Sequence, residues 1–443
     1  MRLSSWQLSL MKLIVDFMDN RINGFVEVPK NFYNVQSILD IPPPKGENIK
    51  LLPKIFPKEM LREEMSKDKY VPIPEEVREE MMRYRPTPLV EAIRLKKHLH
   101  LPEDVRILYK REDVSPTGSH KLNTALMQAY INSKEGIERL TTETGAGQWG
   151  SALSYACNKF EVDCTVYMVR ASFGQKPYRK VLMKLFGADV VSSPSSRTEY
   201  GREIIKKDPQ TSGSLGIAIS EAIEDALGSD NVRYSLGSVL NSVLMHQTVI
   251  GQELKEQLKR IEVVPDALVG CIGGGSNFAG FMLPFIEEKI SQNDVLDIVA
   301  VEPKACPSIT RGKYEYDYGD SAEMTPMLKM YTLGHDFVPP PIHAGGLRYH
   351  GKAPIVSLLA NRGIMRTVAY EQKSIFDAGV TFAKTEGIVP APESSHAIKA
   401  AIDMAIEAMR RREKKTIVMN LSGHGLFDLK GYEDYMDGSF NRA

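Results

Sequence analysis

Cysteine is scarce in this chain of 443 residues, and its four copies, Cys157, Cys164, Cys271 and Cys306, form no C-x-x-C pair. That spacing argues against a zinc ribbon or a disulfide framework. It points instead to reduced core thiols and so to a cytoplasmic protein. Neither sign of charge is in excess, with Lys+Arg and Asp+Glu both at 56. The electrostatic case for a nucleic-acid or anionic-membrane partner is therefore missing. No run reaches transmembrane length. The apolar start M-R-L-S-S-W-Q-L-S-L-M-K-L-I-V-D-F-M is interrupted by Lys12 and Asp16. No small-residue cleavage site follows it, so no signal peptide is expected, and Met11 is a candidate initiator. Internal repeats and low-complexity tracts are also lacking. What is present, 42% apolar and 25% charged residues, is the composition of a globular protein. A chain of this length buries a large core and normally divides into two domains.

Residues 1–85 are Pro-rich and charged, with I-P-P-P-K at 41–45. They read as an extension wrapping the body, with one helical stretch near Lys58 to Asp68. Beyond R-P-T-P-L (85–89) strand and helix signals alternate. Strands are expected at Arg106 to Arg111, Glu138 to Glu143, Asp163 to Val169, Ala188 to Ser193, Asp266 to Ile272, from Leu296, and at Thr416 to Leu421. Helices are expected at Ser119 to Ser133, Ser151 to Phe160, Lys176 to Phe186, His246 to Ile261, Phe278 to Glu288, Ile375 to Thr385 and Glu393 to Arg410. Such alternation predicts an α/β fold of parallel sheets flanked by helices. Ligands then bind beyond the strand C-termini. The Tyr/Asp/Gly-rich piece 312–320 reads as a surface loop.

Two loops carry chemistry. R-E-D-V-S-P-T-G-S-H-K-L-N (111–123) runs from a strand through a Pro/Gly turn into a helix, with Lys121 in the first turn. A cation there opposes the helix dipole. An imine-forming lysine gains from that opposition, because only the neutral amine attacks a carbonyl. Alone, the stretch reads equally as a surface lysine beside an ordinary turn. The second loop is Gly273-Gly274-Gly275-Ser276-Asn277, between the apolar run D-A-L-V-G-C-I and an apolar helix. Strand, triple glycine and helix make a phosphate cradle, because glycines admit the anion to backbone N–H groups and the helix start adds its dipole. It matches neither G-x-x-x-x-G-K-[ST] nor G-x-G-x-x-G. An imine lysine plus a separate phosphate cradle points to pyridoxal phosphate (PLP).

Five ordered motifs, G-S-H-K-L-N (118–123), E-T-G-A-G-Q-W-G (143–150), G-G-G-S-N (273–277), E-G-I-V-P-A-P-E-S-S-H-A (386–397) and S-G-H-G (422–425), resemble the tryptophan synthase β chain, in its longer subclass. The likeness covers about residues 84–430. It implies PLP fold type II and condensation of L-serine with indole to L-tryptophan through an aminoacrylate. It implies Lys121 as the imine lysine and proton carrier. His120, Asn123, Gly273, Gly274, Gly275, Ser276, Asn277 and Glu386 become cofactor contacts. Glu143 would assist loss of the serine hydroxyl and orient indole. Thr144, Gly145, Ala146 and Gln148 would hold the substrate carboxylate. From the residues alone, that loop reads evenly as an anion site or a structural turn. Trp149 departs from the shorter subclass, which has His there, yet still offers its backbone N–H. Ser422 would meet the pyridine nitrogen. Being neutral, it would leave the ring a weaker electron sink than an Asp partner does.

The resemblance further implies a homodimer, use of a monovalent cation, and an α-chain contact that the long N-terminus could alter. The expected division is an extension (1–85), a larger C-terminal domain (86–119 and 238–443), and an N-terminal domain (120–237) with a mobile subdomain at about 136–224. Glu393 and His396 have the spacing of a metal pair, but capping and packing explain them better, and no metal ligands are assigned. Arg348 in A-G-G-L-R-Y-H-G falls where the shorter subclass has an Asp facing the serine hydroxyl. It reads either as outward-facing or as the partner of an anion, an internal carboxylate or the phosphate of an O-phosphoserine-like donor. Two rivals are kept. One is another PLP lyase, a serine/threonine dehydratase or cysteine synthase, against which Glu143 beside T-G-A-G-Q argues. The other is a non-catalytic PLP- or indole-binding protein, against which Lys121, Glu143 and Ser422 argue.

Overall fold

Two sheets organise the chain in a computed structural model that describes residues 26–292 and 295–441. The apolar start of the sequence lies outside the described residues. The larger sheet has the strand order Arg366–Tyr370, Asp297–Pro303, Ala267–Cys271, Lys415–Leu421, Val105–Arg111, Leu89–Glu91. Every neighbouring pair is parallel except the last, where Leu89–Glu91 runs antiparallel at the edge. Its central strand Ala267–Cys271 is buried at every position, the signature of a strand covered by helices on both faces. The smaller sheet, Asp189–Ser193, Asp163–Val169, Arg139–Thr144, Val232–Tyr234, is wholly parallel.

The described part of the N-terminal extension is tied to the body at specific points. Asn31–Tyr33 pairs with Tyr70–Pro72. The helix Lys58–Met65 brings Glu63 to within 2.8 Å of His246 Nε2. Glu64 beside it accepts the backbone N–H groups of Asn241 and Ser242 at 3.0 and 2.8 Å. The expected helix at His246 to Ile261 is two helices, Asn241–His246 and Val249–Arg260.

The loop expected at 312–320 is instead mostly a strand. Lys313–Tyr318 pairs antiparallel with Met327–Thr332. The Tyr314, Tyr316, Tyr318 alternation has the period of a strand, and Tyr314 meets Tyr331 across the pair at 5.3 Å. Asp320, buried, ties the connecting turn by accepting from Thr325 N–H and its hydroxyl, both at 2.8 Å.

Candidate active site

The strand ends of both sheets converge on one cavity, lined among others by His120, Lys121, Glu143, Thr144, Gly145, Trp149, Gly237, Ser238, Cys271, Gly273 to Asn277, and Gly345 to Leu347. Lys121 stands just ahead of the helix Leu122–Lys134 rather than within it. The preceding turn requires glycine. Gly118 has φ +76°, and a Cβ there would lie 2.0 Å from His424 Nε2. The Lys121 amine donates to Gly237 O at 3.2 Å and lies 5.9 Å from the Trp149 ring. Burial lowers its pKa to about 8, against the pull of Glu143 and Glu393. About a tenth of the amine is therefore neutral at pH 7, far more than for a free lysine.

His120 is buried, and burial with the neighbouring Lys121 charge holds its pKa at about 3. The ring is neutral at physiological pH. Its Nδ1 lies 3.2 Å from Ser422 O, and a carbonyl only accepts, so the proton sits on Nδ1. Glu143 is the penultimate residue of the strand Arg139–Thr144. Burial raises its carboxyl to about 7, although Tyr234 and Lys121 favour the ionised form. The Tyr234 hydroxyl donates to Glu143 Oε2 at 2.5 Å. Trp149 Nε1 donates to Thr142 Oγ1 at 2.6 Å beside it.

The glycine loop admits no side chain. A Cβ on Gly273 would lie 2.3 Å from Gly346 O, one on Gly274 would lie 2.2 Å from Ser238 Oγ, and Gly275 has φ +123°. The helix Ser276–Gln292 begins there, so loop amides and helix dipole face one point. Asn277 Nδ2 donates to Cys271 O at 3.1 Å, and Asn420 Nδ2 donates to Asn277 Oδ1 at 2.8 Å. Ser422 lies behind Cys271, with its Oγ 3.5 Å from Cys271 Sγ. Gly147, at φ +86°, starts the helix Gln148–Lys159 under the T-G-A-G-Q loop. Thr144 and Gly145 line the cavity. Gln148, also buried, turns its Nε2 to Glu393 Oε2 at 3.2 Å.

Three expectations need correction. Asn123 does not line the cavity. Its carboxamide accepts from Arg85 Nη1 at 2.9 Å and from the Tyr84 hydroxyl at 3.0 Å, and donates to Gln247 Oε1 at 2.9 Å. Glu386 is also elsewhere, with its carboxylate accepting from Leu95 N–H at 2.7 Å near the start of the helix Ile93–His98. Glu393, seven residues on, lies near Lys121 instead and accepts from Gly346 N–H at 2.8 Å. His396, its supposed metal partner by spacing, donates from Nδ1 to Pro392 O at 2.9 Å. Arg348 is neither outward-facing nor paired with a carboxylate. It is 5% exposed and donates from Nη2 to Pro339 O at 2.7 Å, while its Nε has no partner. Burial lowers its pKa to about 10. Among the described residues no carboxylate forms an ion pair with it.

Sequence reasoning missed Tyr234, Gly237 and Gly345-Gly346. The first two lie at and just beyond a strand of three residues, too short to announce itself. The glycine pair sits in the motif singled out only for Arg348.

Two sheets meeting at a half-buried lysine and a side-chain-free glycine cradle define a PLP-dependent enzyme. The family model described as pyridoxal-phosphate dependent enzyme matches residues 81–423. The chain is 58% identical over 420 residues to the tryptophan synthase beta chain 2 of Methanosarcina mazei, covering 93% of this chain and 95% of that one. It is 56% identical over 422 residues to that of Pyrococcus furiosus, covering 93% and 94%. The chain belongs to the tryptophan synthase β chain family. In fold it is similar to an L-serine ammonia-lyase of Rhizomucor miehei (TM-score 0.57, 17% identity, 79% of this chain and 97% of that one). It is likewise similar to maize serine racemase (TM-score 0.55, 17% identity, 82% and 98%). Its residues fit PLP: a cradle no Cβ can enter, a desolvated amine and a buried hydroxyl at a neighbouring strand end. No helix of the described residues is long and apolar enough to cross a membrane.

Proposed function

We propose that the chain joins L-serine to indole, giving L-tryptophan and water. The observation that carries this reading is that Lys121, Glu143 and the glycine cradle line one cavity. The cofactor, when bound, supplies the electron sink that makes Cα of serine acidic. Lys121 would hold it covalently, and the Gly273 to Asn277 amides would hold its phosphate. Neutral His120 lies alongside, and Ser422 would meet the ring nitrogen. The lowered pKa of Lys121 suits its amine to take the proton from Cα and return it. Thr144, Gly145, Ala146 and Gln148, at the start of a helix, would bind the substrate carboxylate. Glu143, near pH 7 half protonated, can give a proton to the departing hydroxyl and, once ionised, accept the indole N–H. We assign Glu393, rather than Glu386, to the cofactor side.

The same reading divides the chain into an extension (1–85), a C-terminal domain (86–119 and 238–443) and an N-terminal domain (120–237) whose segment 136–224 moves over the site. It assigns a cytoplasmic homodimer and leaves open both a monovalent cation and an α-chain partner, whose docking the N-terminal extension could alter. Light scattering with and without an α chain, and turnover in sodium against potassium salts, test these points. The test of the central claim is borohydride reduction of the PLP-loaded protein followed by peptide mapping. Label at Lys121, together with tryptophan formed from serine and indole, is the expected result. Label elsewhere overturns it, and label at Lys121 without tryptophan leaves a PLP-binding protein.

A second reading of the donor rests on Arg348, a buried guanidinium with an unpartnered Nε. An anionic leaving group such as the phosphate of O-phosphoserine would pair with it. Comparing serine with O-phosphoserine in the native protein and in Arg348→Asp decides this. An unchanged donor preference ends it.

A further inference from the structure

Ser422 is one member of a buried hydroxyl pair, and its partner decides where the Ser422 proton points. Ser394, fully buried at the start of the helix Pro392–Arg411, has its Oγ 2.8 Å from Ser422 Oγ. The same Oγ accepts from Gly423 N–H at 3.1 Å and lies 3.1 Å from Gly423 O. A hydroxyl has one proton and two lone pairs, so Ser394 donates either to Gly423 O or to Ser422 Oγ.

Three observations select Ser422. The 2.8 Å separation is that of a good O–H···O bond, whereas 3.1 Å is long for one. Gly423 O already accepts from Ala391 N–H at 2.9 Å, so it is not left unpaired when Ser394 donates elsewhere. The Gly423 N–H donating into Ser394 polarises its O–H and strengthens it as a donor. The other neighbour of Ser422, Cys271 Sγ at 3.5 Å, is a weak acceptor and competes poorly for the Ser422 proton. With Ser394 donating into it, Ser422 keeps its own O–H for an acceptor other than Ser394. One of its lone pairs is used up.

We infer that Ser394 is a positioning residue that makes Ser422 a hydrogen-bond donor to the cofactor ring nitrogen and so keeps that nitrogen unprotonated. This rests on the reading that Ser422 meets the nitrogen. A Ser422 free to rotate could equally accept from a protonated nitrogen, and the ring would then withdraw electrons more strongly. Ser394 disfavours that option, because it occupies one of the two Ser422 lone pairs and leaves the Ser422 proton with no stronger rival acceptor than Cys271 Sγ, which favours the weaker-sink state of the ring.

The test follows the ring nitrogen itself, by 15N NMR of protein loaded with 15N-labelled PLP and titrated with acid. In the native protein and in Ser394→Thr, which keeps the hydroxyl, the signal should stay at the unprotonated position. In Ser394→Ala the protonation midpoint should rise by roughly one pH unit, the size of one lost hydrogen-bond preference, making protonation about tenfold easier. Ser422→Ala should depart from the native titration as well. If Ser422→Ala departs and Ser394→Ala does not, the role of Ser394 is overturned while the contact of Ser422 stands. If Ser394→Ala and Ser394→Thr move together, packing rather than donation is responsible and the inference fails. If no variant differs from the native protein, Ser422 does not meet the nitrogen, and the reading beneath the inference fails with it.

Discussion

Tyr234→Phe isolates one hydrogen bond at the reacting end of the cavity. The Tyr234 hydroxyl donates to Glu143 at 2.5 Å, and both side chains are buried. Burial and the nearby Glu143 charge push the Tyr234 pKa well above its usual value, so it remains a donor throughout the working pH range. Phenylalanine keeps the ring and its contact with Phe56, whose centroid lies 5.8 Å away. A hydrogen bond to a charged group contributes about 1.5–3 kcal/mol, which is about one to two pKa units. The bond favours the ionised carboxylate, so removing it raises Glu143 from about 7 to roughly 8–9. If Glu143 must be ionised to accept the indole N–H, the acid limb of kcat/KM for indole moves up by the same interval. At pH 7 the ionised fraction falls from about a half to between a tenth and a hundredth, so the loss is about five- to fiftyfold. The assay is kcat/KM for indole across about pH 6 to 10 in the native protein and the variant. A loss equal at every pH, or an acid limb that stays in place, refutes the assignment of that limb to Glu143.

Gly274→Ala places a methyl 2.2 Å from Ser238 Oγ. The loop must shift, and PLP affinity, read by absorbance titration, should fall about ten- to a hundredfold if one or two phosphate-directed amides are lost. Arg85→Met removes a guanidinium that contacts Glu112 and Glu253, each at 2.8 Å, with all three side chains fully buried. Glu253 keeps its ion pair with Lys110 at 2.8 Å, but Glu112 loses its charged partner in a buried site, which should cost about 3–5 kcal/mol in urea unfolding near neutral pH. Burial alone would raise Glu112, but Arg85, with Lys110 and Thr87, outweighs it and holds the carboxyl at about 2, below the 4.5 of a free glutamate. The contribution is thus complete above pH 4.5 and is lost as pH falls towards 2. The deficit of Arg85→Met should therefore shrink on acidification, and a deficit constant with pH would count against this account.

The misplacement of Asn123 and Glu386 has one cause, which is that adjacency in a motif is not adjacency in a site. Asn123 and Lys121 stand two residues apart at a helix start, and two residues turn a helix by about 200°. Lys121 therefore faces the cavity while Asn123 faces Arg85 and Glu112. Glu386 and Glu393 belong to one motif but to different helices, Gln372–Glu386 and Pro392–Arg411. Only the second of these begins at the cavity. The strands and glycine loops were legible because their patterns are local: an apolar run, then residues that only a tight turn tolerates. The Arg85 network was not, since it joins side chains 27 and 168 positions apart. Tyr234 was hidden for the same reason. Its hydroxyl reaches a carboxylate 91 positions away, and only the parallel pairing of Arg139–Thr144 with Val232–Tyr234 brings the two together. Chemistry named by a motif can thus be read from sequence, but the protonation state in which it operates is set by partners the chain supplies from far away.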